Sequence, residues 1–155
     1  AKQIAPRKVI KEKGDSIFLA NASGLNWDLL PLEKGGYRLY LLHGTTKHGV
    51  IPIGDDYAFD FDKDMNILSW RRFHRSFLEQ PITMNGEEIT EVIHSHTPMT
   101  PYFTTTDIAN YMLYGCDLYG IKRFSVLSTA FADTSYLTTF DVEKMKLTST
   151  VYTVK

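Results

Sequence analysis

The chain has 155 residues, 43% hydrophobic, 13% aromatic and 23% charged, a composition that fits one globular domain with a substantial core and is far from that of a disordered chain. Seventeen Lys and Arg against 18 Asp and Glu leave a formal net charge of -1, so no global basic field draws the chain to nucleic acid or to an anionic membrane surface. Apolar runs fall far short of the about 20 residues that span a bilayer, and the single cysteine, Cys116, excludes an intramolecular disulfide, a Cys-rich zinc site and a CxxC redox pair.

Residues 1–13, with five Lys or Arg and one proline, read as a flexible basic arm leading into a short strand from Ser16 to Ala20. The chain opens on Ala1 without the n-region and h-region of a signal peptide, a beginning compatible with a cytoplasmic protein or an exported one whose leader is removed. Asn21 to Asn26 is turn chemistry, and the segment beginning at Trp27, short and broken by Pro31, is expected to form one helical turn or a loop. From Gly36 to Phe73, four β-rich segments (Tyr37 to Leu42, Gly49 to Ile53, Tyr57 to Asp62, Ile67 to Phe73) separated by turn residues predict an antiparallel meander. Glu87 to Ile93 alternates into another strand. Thr105 to Leu118 carries Ile108, Tyr111, Met112 and Gly115 at helical spacing, with Thr or Asp available as the cap. Ile121 to Leu127, Ser135 to Phe140 and Lys146 to Val154 follow as strands. The expectation is a single α+β domain over residues 1–155, a mostly antiparallel sheet carrying one principal helix after the strand that ends in His94-Ser-His96.

That strand end carries the most chemistry. Histidines at i and i+2 on a strand project to one side and can converge on one ion. Asp107, in the first turn of the following helix, can fold back as a third ligand and leave the fourth tetrahedral position to water. Pro98 and Pro101 stiffen the loop between them. The competing reading is that the histidines end a strand and Asp107 caps a helix.

The run His94-Ser-His96, seven residues, Thr104, two residues, Asp107 resembles the signature of the JAB/JAMM (MPN-type) metallopeptidase-like family, His-x-His-x7-Ser-x-x-Asp, over about Glu88 to Leu127. The resemblance implies a cytidine-deaminase-like three-layer architecture, Zn2+ held by His94, His96 and Asp107, and hydrolysis of a peptide or isopeptide bond in a peptide or protein substrate. Thr104 stands where the family has a serine whose hydroxyl helps hold the tetrahedral intermediate. The family also uses a glutamate as general base, usually three residues before a glycine and leading into an apolar strand; Glu33, before Gly36 and Tyr37-Arg-Leu-Tyr-Leu-Leu42, is the best candidate, with Glu79, Glu88 and Glu91 as competitors. Glu91, three residues before His94 on one strand, points to the opposite face. The alternatives are a non-catalytic JAB-fold binding domain, or a bacterial effector or toxin-type domain that keeps the site without peptidase activity.

Other constellations carry less. Trp70 to Ser76 mixes aromatic and basic residues, but alternation leaves neither face cleanly basic, so the segment reads as a strand or a contact surface for an acidic or polypeptide partner. Asp60 to Asn66 lacks the glycine and glutamate of an EF-hand and reads as a hairpin turn. Cys116 has no basic neighbour to activate it and reads as core. His43 and His48 flank a turn as further ligand candidates.

Overall fold

The computed structural model describes residues 25–131 and 133–153; the basic arm and the strand expected from Ser16 to Ala20 lie outside them. The fold is mixed α+β, mostly antiparallel strands with one helix. The described residues fall into two compact units, one within Ala1–Thr46 and Asp55–Arg75, the other within Lys47–Gly54 and Ser76–Lys155. None of their helices is long and apolar enough to cross a membrane.

In the first unit β1 (Leu25–Pro31), β2 (Tyr37–His43), β4 (Tyr57–Phe61) and β5 (Ile67–Arg72) form one antiparallel sheet in the order β1-β2-β4-β5. The helical turn or loop expected at Trp27 is instead the edge strand β1. Its Trp27 and Leu29 lie opposite Leu41 and Leu39, and pairing against that apolar row outweighs the proline, which sits harmlessly at the last position of an edge strand. Cross-strand rows such as Leu29, Leu39 and Phe59 build the core, with Leu39 and Phe61 fully buried and the half-exposed Trp70 ring stacked on Phe59 at 6.2 Å.

Gly36 turns the chain from β1 into β2 at a φ of 89°, and a Cβ there would collide with the Phe61 carbonyl oxygen. Gly36→Ala is therefore expected to cost about 1–3 kcal/mol from backbone strain alone, read as a lowered urea midpoint with an unchanged m value.

The Trp70 to Ser76 segment spends much of its polarity within the unit. Arg72 Nη2 donates to Asp55 Oδ1 at 2.5 Å, and His74 Nδ1 lies 2.6 Å from Asp56 Oδ1. His43 Nε2 is 3.0 Å from Asp55 Oδ2, and the Tyr57 hydroxyl donates to Asp55 at 2.9 Å. Burial by itself would raise the Asp55 carboxyl, but the bonds from Tyr57 and His43 together with the Arg72 charge outweigh it and hold the group below the usual carboxylate range. Burial and the bond to Asp55 push the Tyr57 phenol up to about 12. A depressed carboxylate contributes stability that is whole above its unfolded pKa, near 4, and is lost as pH falls through the lower folded value. Thermal melts from pH 7 to pH 2.5 should show this loss, with Asp55→Asn less stable at neutral pH and showing a shallower acid decline. Asp62 closes the β4–β5 hairpin by accepting from the Asp64 and Asn66 amides at 2.8 Å, the hairpin turn read from the sequence.

The expected continuous meander fails at β3 (Val50–Gly54). This strand belongs to the second unit and pairs with β6 (Phe77–Pro81), an element the sequence reading did not anticipate. β3 is bonded on one side only, so Pro52 costs it no interior ladder bond. The strand expected over Glu87 to Ile93 is broken at Ile89 and Thr90. Its first part, β8 (Glu87–Glu88), forms a small hairpin with β7 (Thr83–Met84), and β9 (Glu91–His96) joins the main sheet.

That sheet has the order β12-β11-β10-β9, with β10 (Arg123–Phe131), β11 (Thr134–Asp141) and β12 (Lys146–Thr153) antiparallel and β9 parallel to β10. A parallel pair needs a crossover, supplied here by the helix α1 (Thr105–Asn110), which continues as a π-helical stretch from Tyr111 to Leu118. Ile51, Ile53, Val92, Tyr111, Ile121, Phe124 and Phe140 form the core of this unit.

Candidate metal centre

β9 is buried in alternation: Val92, His94 and His96 face inward while Ile93 and Ser95 are exposed. Both histidines therefore leave one face at the carboxyl end of a parallel strand, where βα loops gather functional groups. The loop from Thr97 to Phe103 returns the chain so that α1 begins against them. Thr104 is the N-cap, with φ -97° and ψ 160°, and forms a capping box with Asp107. Its hydroxyl accepts from the Asp107 amide at 3.0 Å, and Asp107 Oδ2 accepts from the Thr104 amide at 2.7 Å. The capping alternative is thus real, with Thr104 as the cap and Asp107 as its reciprocal partner. It coexists with the converging side chains, because Asp107 also reaches the histidines.

Asp107 Oδ1 lies 3.3 Å from His94 Nε2 and Oδ2 lies 3.4 Å from His96 Nε2. The two Nε2 atoms are 2.7 Å apart. All three side chains are nearly inaccessible, at 5%, 0% and 1% exposure. Donors about 2.0–2.1 Å from a tetrahedral zinc stand ~3.3 Å from one another; each imidazole has an Asp107 oxygen at about that distance, a different oxygen for each, and the two imidazoles stand closer, hydrogen-bonded to each other. One ligand atom from each of the three lies within 4.8 Å of the others, so the group could hold a metal ion. Two nitrogens and one oxygen suit zinc and other divalent transition-metal ions alike.

The tautomer of His96 is set by its surroundings. His96 Nδ1 is 2.9 Å from the Tyr102 carbonyl oxygen, which can only accept, so Nδ1 carries the proton and Nε2 presents its lone pair to the centre. His94 is held by packing: its ring stacks on Phe124 at 5.2 Å, and Phe124 stacks on Tyr111 at 4.7 Å with 9° between planes. Phe103 meets Phe124 edge-on at 5.4 Å. Gly115 leaves room for this column, since a Cβ there would come within 2.6 Å of the Tyr111 ring, and the Tyr111 hydroxyl is tied to the Ile121 carbonyl oxygen at 2.5 Å.

Thr104 sits beside the site with its one proton committed. Its hydroxyl donates to Asp107 Oδ2 at 2.8 Å, so Thr106, 2.7 Å away, must donate to it. In this arrangement Thr104 orients the aspartate and is buried. Glu33 belongs to the first unit, exposed on the turn in which the Gly35 amide donates to the Leu32 carbonyl oxygen. Within the second unit the glutamates are engaged elsewhere or exposed. Glu79 pairs with Lys47 at 2.5 Å, Glu87 and Glu88 are exposed, and Glu91 is bonded to Ser125 and lies 3.6 Å from Arg123 on the opposite face of the sheet. His43 is bound to Asp55, His48 is exposed, and Cys116 is half-buried in the π-helical stretch.

The sequence reading did not single out the Tyr102 carbonyl, Phe124 or Thr106. A backbone acceptor leaves no trace in residue identity, and Phe124 becomes relevant only once β10 is registered with Phe124 opposite Val92 and Val126 opposite His94. Comparison with family models, curated proteins and solved structures finds no match for this chain.

Proposed function

We propose that His94, His96 and Asp107 form a zinc centre and that the chain is a JAB/JAMM-like hydrolase of peptide or isopeptide bonds. The observation that carries the reading is the agreement of three independent constraints on one small volume: the His-x-His strand end, the capped Asp107, and the lone pair that Tyr102 imposes on His96 Nε2. A bound zinc ion would polarise the scissile carbonyl and lower the pKa of a water toward ~7. His96 and Asp107 are pre-oriented by Tyr102 and Thr104, and His94 by Phe124, so little ordering cost remains at binding. Thr104 acts here as a positioning residue through Asp107, and Glu33, in the first unit, is the proton acceptor that the family resemblance offers for test by activity.

The test is turnover of fluorogenic peptides and of a lysine isopeptide by the zinc-loaded full chain. Glu33→Gln should lower kcat by about 10²–10⁴, the usual contribution of a general base, with zinc content unchanged. Equal turnover in Glu33→Gln would remove Glu33 from the role, and no turnover of any substrate by zinc-loaded protein would sink the hydrolase reading. One observation favours the non-catalytic alternative: the glutamates of the second unit are exposed or engaged away from the histidines. Zinc bound without turnover is its signature.

A further inference from the structure

Beside the candidate centre, on the histidine face of the same sheet, lies a cleft of about 190 Å³ lined by Pro101, Tyr102, Ser128, Tyr136, Thr138 and Ser149. Its link to the centre is direct. Ser128 on β10 is in register with His96 on β9, and Tyr136 on β11 is in register with Ser128. Tyr102, which forms part of the wall, supplies the carbonyl that bonds His96 Nδ1. Thr138 and Ser149 continue the floor toward the edge strand β12, their hydroxyls 2.8 Å apart.

Three properties define what fits. No charged side chain lines the cleft, and a charged group placed there would lose water without gaining a counter-charge. Two tyrosines and a proline give apolar surface, and a void near 150 Å³ already accepts a benzene-sized ring. Ser128 is 3% exposed and its hydroxyl oxygen has no hydrogen-bond partner. A buried polar group in this state is costly until something bonds to it.

We propose that this cleft is a binding subsite for an uncharged aromatic ring bearing a hydroxyl, the side chain of a tyrosyl residue, with Ser128 as the group that reads the hydroxyl. That this ring flanks the bond to be cut rests on the hydrolase reading above; the binding itself does not. A tyrosyl ring seated against Ser128 would hold its own backbone near His96, next to the reacting carbonyl. The subsite would thus select substrates by an aromatic residue beside the cleavage point.

The probe is phenol, titrated into the full chain with and without zinc and followed by amide chemical shifts. Benzoate and benzylamine serve as charged rings of the same size, and glucose as a hydroxylated ring without an aromatic face. Phenol is expected to shift the amides of Tyr102, Ser128, Thr138 and Ser149 saturably, with the other three probes at least tenfold weaker. Ser128→Ala, which preserves the cleft, should weaken phenol about fivefold, the factor that one hydrogen bond represents. Ser149→Phe, at an exposed position of the edge strand, should obstruct the cleft and abolish the shifts. Absence of a saturable shift, equal binding of benzoate or glucose, or full phenol binding by Ser128→Ala would each overturn the proposal, the last meaning that water alone satisfies the Ser128 hydroxyl. Zinc binding without phenol binding removes the subsite and leaves the hydrolase reading standing. Phenol binding to a protein that takes up no zinc does the reverse.

Discussion

Asp107→Ala and His96→Ala are each expected to abolish stoichiometric zinc binding, where the unaltered chain, purified without a His-tag, holds about one zinc per chain. Three ligands are the minimum of an open zinc site, and removing one from a group whose donors lie 3.3 and 3.4 Å apart leaves two that no longer enclose the ion. Thr104→Ala should behave differently. It leaves all three donors but removes a bond to Asp107 Oδ2 and the helix cap. Metal affinity should then fall about 10–100-fold, the usual cost of losing an outer-shell partner, and stability by about 1 kcal/mol. Thr104→Ser, which keeps the hydroxyl, should restore both. Zinc in hundredfold excess over its dissociation constant should stabilise the unaltered chain by about 2.7 kcal/mol, seen as a higher melting temperature that Asp107→Ala does not share. Elemental analysis and calorimetry read these outcomes. No bound metal and no stabilisation by added zinc would leave His94, His96 and Asp107 as structural residues.

The second large effect is expected at a residue that offers no ligand. Phe124 is 1% exposed and stands between the His94 and Tyr111 rings with Phe103 against its edge. Phe124→Ala should destabilise the protein by about 3–5 kcal/mol through lost burial and the cavity left behind. Because His94 loses the surface that fixes its ring, zinc affinity measured on the remaining folded protein should fall as well. Phe124→Leu refills most of the volume without the flat stacking surface, so stability should recover more than affinity does. Denaturant melts and zinc titration separate the two. Equal recovery of both would show that Phe124 serves the core alone.

Most strand segments were legible from β-branched and aromatic runs bounded by turn residues, because these signals are local. A Thr or Asp cap for the helix was legible for the same reason, although the structure makes Thr104 the cap and Asp107 its partner rather than the cap itself, and period-two alternation set Glu91 on the face opposite His94. The errors share one origin. Trp27 to Pro31 has poor strand character taken alone, and it becomes a strand because β2 presents Leu39 and Leu41 to it. β3 looked like the next turn of a meander, yet its partner is β6, more than twenty residues further on. Alternation tells which residues share a face and says nothing about which strand lies alongside.

The sequence by itself determined the donor types, their spacing, and the strand, loop and helix that carry them; these depend on backbone periodicity and capping, which act over a few residues. Tertiary structure decided the rest. It brought Asp107 to within 3.4 Å of both imidazoles, assigned the His96 proton through the Tyr102 carbonyl, and placed Phe124 behind His94. It also set Ser128 level with His96 to open a cleft beside them. Each of these is a contact between residues whose proximity depends on strand pairing and loop closure, and those are fixed only when the apolar faces of the second unit find one common core.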